Sequence, residues 1–285
     1  MTVLLTGATS FIGSSVLSAL KARGHEVRVL VRTDDKAAAI AAEGVSAVVG
    51  DITDLDLLSR LVHESDGVIH TASPGDASSA QVDADLVDVV TSRLQGTSKP
   101  YVHTGGVWVF GDGDDLTEEG AVHPPALTSW RVEVERTVRE SGVRTTIVAP
   151  GIVYGHGKGI PALLVGPDNI RLVGDGSQHW TTVHVDDLAD LYVKAFEAGA
   201  RDEYYLGVSG HNPTVRDLGE AAAAATGAPV VEESADESRA RLGEAFADAL
   251  LLDQAAIGAH AKETLGWIPS RPSLADEFRS GAYTS

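Results

Sequence analysis

The feature that most constrains the fold is a glycine-containing turn near the start of the chain. An apolar run, Val3–Thr6, is followed by Gly7, Ser10 and Gly13, and a helix-like stretch spans Phe11–Arg23. The first glycine permits a tight turn, and the last lets a helix approach a sheet closely. A helix N-terminus in this position presents N–H groups and a positive dipole end. The sequence therefore predicts a strand-turn-helix unit with an anion site at its turn.

Short strand candidates alternate with helical stretches through residue 150. Such alternation is typical of a parallel sheet with helices on both faces. We therefore expect an α/β fold with a doubly wound parallel (Rossmann) sheet. The predicted strands are Val3–Thr6, Val27–Val31, Ala47–Val49, Gly67–His70, Tyr101–Thr104 and Thr145–Val148, and the helices include Phe11–Arg23, Asp54–Glu64 and Arg131–Glu140.

The pattern changes after residue 150, where glycine and proline cluster through residue 176. We expect residues 1–150 to form a dinucleotide-binding domain that also receives residues 177–200. Residues 151–285 should mostly form a smaller, substrate-binding C-terminal lobe. The elements predicted in this part are strands at Thr181–Val185 and Tyr204–Gly207, and helices at Asp187–Ala198, Val215–Ala225, Arg239–Leu252 and Gln254–Leu265.

Composition excludes several classes of function. With 22 Lys and Arg against 41 Asp and Glu, the net charge of −19 disfavours nucleic acid as a partner. No apolar run approaches the roughly 20 residues of a membrane span, so we expect no membrane partner and a cytoplasmic protein. The absence of Cys excludes disulfides and thiolate chemistry. No His pair has metal-ligand spacing supported by carboxylates, so the sequence predicts no metal.

Cofactor preference depends on the ends of the second and third predicted strands. Arg32 stands where an NAD-selective site would place a carboxylate, and a guanidinium there suits a 2′-phosphate. NADP(H) is therefore favoured over NAD(H), although a solvent-facing Arg32 is the alternative. Asp51 suits an adenine contact or, equally, a turn. The predicted cofactor residues are Gly7, Thr9, Ser10, Phe11, Ile12, Gly13, Arg32, Asp51, Ile52, Thr71 and Ala72.

Several motifs together resemble the extended or atypical short-chain dehydrogenase/reductase superfamily, in its NAD-dependent epimerase/dehydratase-like branch. The resemblance covers essentially the whole chain and implies a nicotinamide cofactor. It rests on the segments Thr6–Gly13, Gly50-Asp51, Thr104–Gly111, Pro150–Gly155, Val183–Ala189 and Leu265-Gly266-Trp267.

The chain departs from the family pattern at the residues that normally carry proton transfer. Aligning Glu135 with the Glu that follows the family's Tyr-x-x-x-Lys motif places Leu127 at the Tyr and Arg131 at the Lys. Gly106 stands where relatives have a Ser that polarises the substrate. The chain thus resembles a subgroup that lacks the Tyr-x-x-x-Lys motif. The resemblance implies that Arg131 holds the nicotinamide ribose, while Leu127 can transfer no proton.

Candidates to replace the missing tyrosine lie at the ends of predicted strands. Thr104 could bond a substrate oxygen or its own backbone, and Tyr154 brings a phenol toward the cleft expected from the resemblance. The predicted catalytic residues are therefore Thr104, Arg131 and Tyr154. The predicted substrate pocket comprises Ser73, Gly106, Trp108, Trp130, His156 and Trp180, where core packing is an equal alternative for the tryptophans.

The favoured function is an NADP(H)-dependent reductase of a small carbonyl or imine. Two alternatives stay open: a non-catalytic NADP(H)-binding sensor or regulatory protein, and a sugar-nucleotide epimerase or dehydratase. The expected partner is a small-molecule substrate. A homodimer is typical of relatives, but the stretch Arg131–Glu140 has no clear apolar stripe, so a monomer is also expected.

Overall fold

The computed structural model describes residues 1–41 and 45–284, which form two compact units. The first unit comprises Met1–Gly105, Glu133–Val148 and Leu188–Tyr205, and the second comprises Gly106–Val132, Ala149–Asp187 and Leu206–Ser285. Residues 106–132, which the sequence assigns to the first domain, therefore group with the second unit. Residues 177–187, which the sequence also assigns to the first domain, belong to the second unit as well.

The elements that lie wholly or mostly in the first unit follow the alternation seen in the sequence. Numbered in chain order, they are β1 (Thr2–Thr6), α1 (Phe11–Ala22), β2 (Glu26–Val31), α2 (Asp34–Ala41), β3 (Ser46–Val49), α3 (Leu55–His63), β4 (Gly67–His70), α4 (Ser79–Leu94), β5 (Pro100–Thr104), α5 (Arg131–Glu140), β7 (Arg144–Pro150), α6 (Val185–Ala198) and β12 (Glu203–Gly207).

These strands form a seven-stranded sheet in the order β12-β7-β5-β4-β1-β2-β3. The pairings of β1 with β2 and β4, β2 with β3, and β5 with β4 and β7 are all parallel. Strand order reverses between β1 and β4, and ligands of such sheets bind beyond the carboxyl ends of the strands at that point. The predicted α/β class with a doubly wound parallel sheet is confirmed.

The second unit contains shorter elements. They are a 3₁₀ turn (Val107–Phe110), β6 (Gly113–Leu116), β8 (Ile152–Gly155), β9 (Lys158–Gly159), a second 3₁₀ turn (Ile160–Leu164), β10 (Ile170–Arg171), β11 (Thr182–His184), α7 (Val215–Thr226), β13 (Val230–Val231), α8 (Ala235–Leu242), α9 (Glu244–Leu250), β14 (Gln254–Ala256), α10 (Ala259–Leu265) and α11 (Leu274–Arg279).

A single apolar cluster holds much of the second unit together. Its members come from distant parts of the sequence and include Tyr154, Trp180, Leu250, Phe278 and Tyr283. All five side chains are buried. Through Ile152 and Tyr154 the cluster packs β8 against α7, α9 and α11.

Two helices predicted near the C-terminus are interrupted by glycines with positive φ. The stretch predicted as Arg239–Leu252 is two helices, α8 and α9, because Gly243 has φ +87°. The stretch predicted as Gln254–Leu265 begins as strand β14, and α10 starts only after Gly258, whose φ is +59°. The left-handed conformation, which glycine adopts without steric cost, ends a regular helix. Among the described helices, none is long and apolar enough to cross a bilayer.

Candidate functional site

The turn between β1 and α1 has the local geometry of an anion site. Gly7 has φ +78°, and its carbonyl accepts from the Ser10 amide at 2.8 Å. Ser10 is the N-cap of α1, where its hydroxyl oxygen accepts from the Gly13 amide at 3.0 Å. Accepting that bond leaves the exposed Ser10 hydroxyl its own proton to donate. The first turn of α1 carries no acidic side chain, so the positive end of the helix dipole is not neutralised locally.

Close backbone packing explains why the turn requires glycine. A Cβ on Gly7 would lie 2.6 Å from the Ala72 amide nitrogen, and one on Gly13 would overlap the Gly7 carbonyl. Thr71 stabilises this arrangement by donating from its hydroxyl to the Thr6 carbonyl at 2.8 Å. The turn therefore packs against the carboxyl end of β4. Backbone this close, with helix N–H groups beside it, fits a pyrophosphate.

The predicted nucleotide residues lie at the carboxyl edge of the same sheet. The turn at Thr9–Gly13 follows β1, Arg32 follows β2, Asp51 and Ile52 follow β3, and Thr71 and Ala72 follow β4. Arg32 is exposed. The structure thus brings the predicted set together within the first unit, with the exception of Arg131, which belongs to the second.

Asp51 forms the turn contacts that were one of the two roles considered for it from the sequence. Its Oδ1 accepts from the Thr53 amide at 3.0 Å and from the Thr53 hydroxyl at 2.7 Å. These bonds, with a smaller contribution from the positive charge of Arg32, lower the pKa of Asp51. The carboxylate thus holds the turn after β3, and its charge lies close enough to influence Arg32.

The Thr104 hydroxyl, predicted to be catalytic, forms hydrogen bonds to other groups of the protein. It donates to the His70 carbonyl at 2.6 Å and lies 2.7 Å from the Tyr192 hydroxyl. Because the single Thr104 proton goes to the carbonyl, Tyr192 must donate to the Thr104 oxygen. This geometry favours a structural role over the catalytic role that the sequence suggests.

Two buried acidic side chains, Asp83 and Glu135, accept hydrogen bonds that the sequence does not predict. His70 Nδ1 is 2.7 Å from the Thr6 hydroxyl, and its Nε2 is 2.9 Å from Asp83 Oδ1. The buried Glu135 carboxylate accepts from the Tyr204 hydroxyl at 3.0 Å. An acidic residue inside a helical stretch gives no signal of burial in the sequence, since its partner is distant in the chain.

In the second unit, Arg131 and Trp130 form a pair at the start of α5. The Arg131 guanidinium carbon lies 4.5 Å from the Trp130 ring centroid, and Trp130 Nε1 donates to the Leu127 carbonyl at 3.1 Å. Stacking on the indole orients the guanidinium plane. Leu127, in the proton-donor position of the resemblance, is half-buried.

Tyr154 is held deep in the second unit. Its hydroxyl donates to the Pro272 carbonyl at 2.8 Å, and the side chain is 1% exposed. Burial, with the nearby negative charge of Glu277, raises the pKa of Tyr154 well above its ordinary value of 10.0. A phenol with a committed proton and a raised pKa is a poor acid, so the geometry argues against the catalytic role predicted for Tyr154.

The residues predicted to line the pocket differ in exposure. Trp180 is buried, and its Nε1 donates to the Leu250 carbonyl at 2.9 Å, which favours core packing, one of the two alternatives considered from the sequence, over a place in the pocket wall. Trp108 is partly exposed and packs edge-on against Phe246, with ring centroids 6.2 Å apart. The remaining members are partly or fully exposed: Ser73, Gly106, Trp130 and His156.

The structure brings together histidines that the sequence keeps apart. His156 and His184 lie with Asp186 in a group whose ligand atoms are all within 4.8 Å of one another. The sequence predicts no metal because the two histidines are not spaced as a motif. Parallel pairing of β8 with β11, in which Tyr154 faces His184, creates the proximity.

Comparison with known proteins identifies relatives along the whole chain. The model of the NAD dependent epimerase/dehydratase family matches residues 3–207. An uncharacterized protein of Schizosaccharomyces pombe is 30% identical over 295 residues, which cover 99% of this chain and 100% of that protein. UDP-glucose 4-epimerase of Mycolicibacterium smegmatis is 29% identical, with 94% of each chain covered. The crystal structure of the human epimerase family protein SDR39U1 with NADPH covers 100% of both chains at 21% identity, with a TM-score of 0.79.

Proposed function

The chain belongs to the NAD-dependent epimerase/dehydratase family, and from that premise we propose that it is an NADP(H)-dependent reductase of a small carbonyl or imine. The observation that carries the cofactor preference is Arg32, an exposed guanidinium directly after β2. A guanidinium binds a phosphate through two parallel charge-assisted hydrogen bonds. The structural neighbour SDR39U1 was solved with NADPH and the neighbour DesIV with NAD; both support a nicotinamide cofactor, and the preference for NADP(H) is proposed from Arg32 alone.

The bound nicotinamide would supply the hydride, so the protein need only bind, orient and protonate. In this proposal the N-terminus of α1 and the Ser10 hydroxyl bind the pyrophosphate, Arg32 binds the 2′-phosphate, and Arg131 holds the ribose. Stacking on Trp130 presets the guanidinium plane of Arg131 for that task.

The proton in this proposal comes from water. Leu127 has no proton to give, and the hydroxyl protons of Thr104 and Tyr154 are donated to backbone carbonyls. Carbonyl reduction tolerates a weak proton source better than alcohol oxidation tolerates the loss of a base, because hydride transfer itself builds basicity on the substrate oxygen. The reductive direction is therefore favoured.

A second candidate is a sugar-nucleotide epimerase, which the UDP-glucose 4-epimerase relative supports. Such a substrate carries a diphosphate and calls for basic side chains in the substrate part of the chain. In residues 151–200 the only Lys or Arg are Lys158, Arg171 and Lys194. Of the basic residues further along, Arg216, Arg239 and Arg241 are paired with carboxylates. Arg171 is paired with Glu233, with Nε 3.5 Å from Oε1. This charge pattern favours a smaller, less anionic substrate.

Turnover measurements distinguish the candidates. A reductase should oxidise NADPH in the presence of one or more members of a panel of aldehydes, ketones and imines, with a higher kcat/KM than for NADH. An epimerase should interconvert UDP-glucose and UDP-galactose without net cofactor consumption. Tight NADPH binding with no turnover in either assay would contradict both and favour the non-catalytic sensor.

A further inference from the structure

A cluster of two imidazoles and a carboxylate lies in the second unit, where the tip of the β8–β9 hairpin meets the start of α6. His156 Nε2 is 3.1 Å from Asp186 Oδ1, and His184 Nδ1 is 3.9 Å from Asp186 Oδ2. The two imidazole ring centroids are 5.4 Å apart. None of these residues has a part in the cofactor and substrate roles proposed above except His156, predicted only as a pocket wall.

We propose that His156, His184 and Asp186 form a binding site for a divalent transition-metal ion, with Zn²⁺ as the ion that fits best. Two neutral imidazoles and a carboxylate are donors that Zn²⁺ accepts, with water in the remaining position. Donors about 2.0–2.2 Å from such an ion are roughly 3.4 Å apart in a tetrahedral arrangement. One donor atom from each of the three residues lies within 4.8 Å of the other two. The shortest printed approaches are 3.1 Å from His156 Nε2 to Asp186 Oδ1 and 3.9 Å from His184 Nδ1 to Asp186 Oδ2, so a small movement of these side chains brings the three donors to this spacing.

Glu277 supplies the outer contact that metal-binding histidines characteristically have. His184 is buried, and its Nε2 lies 3.1 Å from Glu277 Oε1. A carboxylate in this position accepts a hydrogen bond from Nε2–H, which keeps the proton on Nε2 and the lone pair on Nδ1. The Asp186 amide donates to that Nδ1 at 3.1 Å, which confirms that this nitrogen acts as an acceptor. The imidazole is thus held in the tautomer that metal ligation through Nδ1 requires.

Metal binding at this position would break two contacts that the side chains otherwise make. The ion would replace the bond from the Asp186 amide to His184 Nδ1 and the contact between Arg271 Nη2 and Asp186 Oδ2, which is 3.5 Å long. Arg271 is about half exposed and has a long side chain, so it can move into solvent.

The test uses the full chain without an affinity tag, treated with a chelator and titrated with ZnCl₂ by calorimetry. We expect one saturable site, and the same site should bind Co²⁺ with visible d–d absorption. His156→Ala should weaken binding by at least about tenfold because a ligand is lost. His156 is exposed at a hairpin tip, so this variant should keep the wild-type circular dichroism and melting temperature.

His179→Ala is the matched control. His179 is also an exposed imidazole bound to a carboxylate, with Nδ1 2.8 Å from Asp253 Oδ1, but it lies outside the cluster. This variant should bind Zn²⁺ like the wild type. Glu277→Gln should weaken binding about 10–100-fold, the usual effect of losing an outer-shell carboxylate. Absence of saturable binding to the wild type, equal binding by His156→Ala, or equal losses in His156→Ala and His179→Ala would each overturn the proposal.

Discussion

His70 Nε2 lies 2.9 Å from Asp83 Oδ1, and the two residues are 1% and 2% exposed. A carboxylate can only accept, so His70 donates from Nε2, and its Nδ1 accepts from the Thr6 hydroxyl. The chain of bonds connects the residue before Gly7 to the middle of α4. The position of the turn that begins at Gly7 therefore depends partly on Asp83, an acidic residue far from it in sequence.

Removal of the buried carboxylate should destabilise the protein strongly. Asp83→Ala leaves the His70 N–H without its acceptor and opens space in the core, so we expect a loss of about 3–5 kcal/mol in the free energy of unfolding. Denaturant titration measures this loss. Asp88→Ala, on the exposed face of the same helix, should change stability by less than about 0.5 kcal/mol. Similar losses in both variants would show that the His70 contact is not the cause.

Arg32 should determine cofactor choice. Arg32→Ala should weaken NADPH binding by about 1.5–3 kcal/mol, the range of a hydrogen bond to a charged group, and leave NADH binding almost unchanged. Cofactor titrations followed by fluorescence measure both affinities. Arg28→Ala is the control, because Arg28 lies on β2, the strand that precedes Arg32, but bonds to Glu64 at 2.8 Å. If Arg32→Ala weakens the binding of NADH and NADPH equally, the guanidinium does not bind the 2′-phosphate.

Arg131 should act on cofactor binding and turnover together. Arg131→Ala should raise the Kd of the cofactor and lower kcat, because the ribose contact and the positive charge disappear at once. Arg131→Lys should recover most of the affinity but not the stacking on Trp130 or the planar fork. Arg136→Ala, an exposed change on the same helix, serves as the control. Unchanged kinetics in Arg131→Ala would refute the ribose role.

Tyr154 should affect stability at high pH more than catalysis. Its folded-state pKa is raised above the ordinary value of 10.0, so the stabilisation from the neutral phenol is fully present below pH 10.0. Above that pH the unfolded state ionises first, and the free energy of unfolding should fall. Tyr154→Phe should reduce this alkaline slope and cost about 0.5–1.5 kcal/mol at neutral pH through the lost hydrogen bond.

Kinetic measurements on Tyr154→Phe test whether Tyr154 donates a proton during turnover. With the proton committed to Pro272, Tyr154→Phe should leave kcat within a few-fold of wild type. Tyr283→Phe is the comparison, since burial also raises the pKa of Tyr283. It should show the same loss of alkaline slope. A fall in kcat of about 100-fold in Tyr154→Phe alone would reinstate the phenol as the proton donor.

The strands and helices of the first unit could be predicted from the sequence because the signals that specify them are local in the chain. The glycine turn and the alternation of strands and helices specify β1, α1 and the parallel sheet, and Arg32 and Asp51 fall at strand ends by simple counting. The second unit was harder to predict, since Tyr154 bonds to Pro272, 118 residues later. No pattern within β8 indicates that partner. The resemblance therefore assigns the Tyr154 side chain to a cleft, whereas in the structure it lies in the core.

The apolar cluster of the second unit has a consequence for biosynthesis. Tyr154 packs in that cluster with Phe278 and Tyr283. During translation β8 therefore leaves the ribosome long before these two residues are synthesised. The first unit draws on residues up to Tyr205 and can close while the later segments are still being translated. The second unit should therefore spend the last part of translation with β8 and β11 uncovered. Chaperone binding and aggregation of nascent chains should be concentrated there, and slower translation after residue 205 would lengthen that exposure.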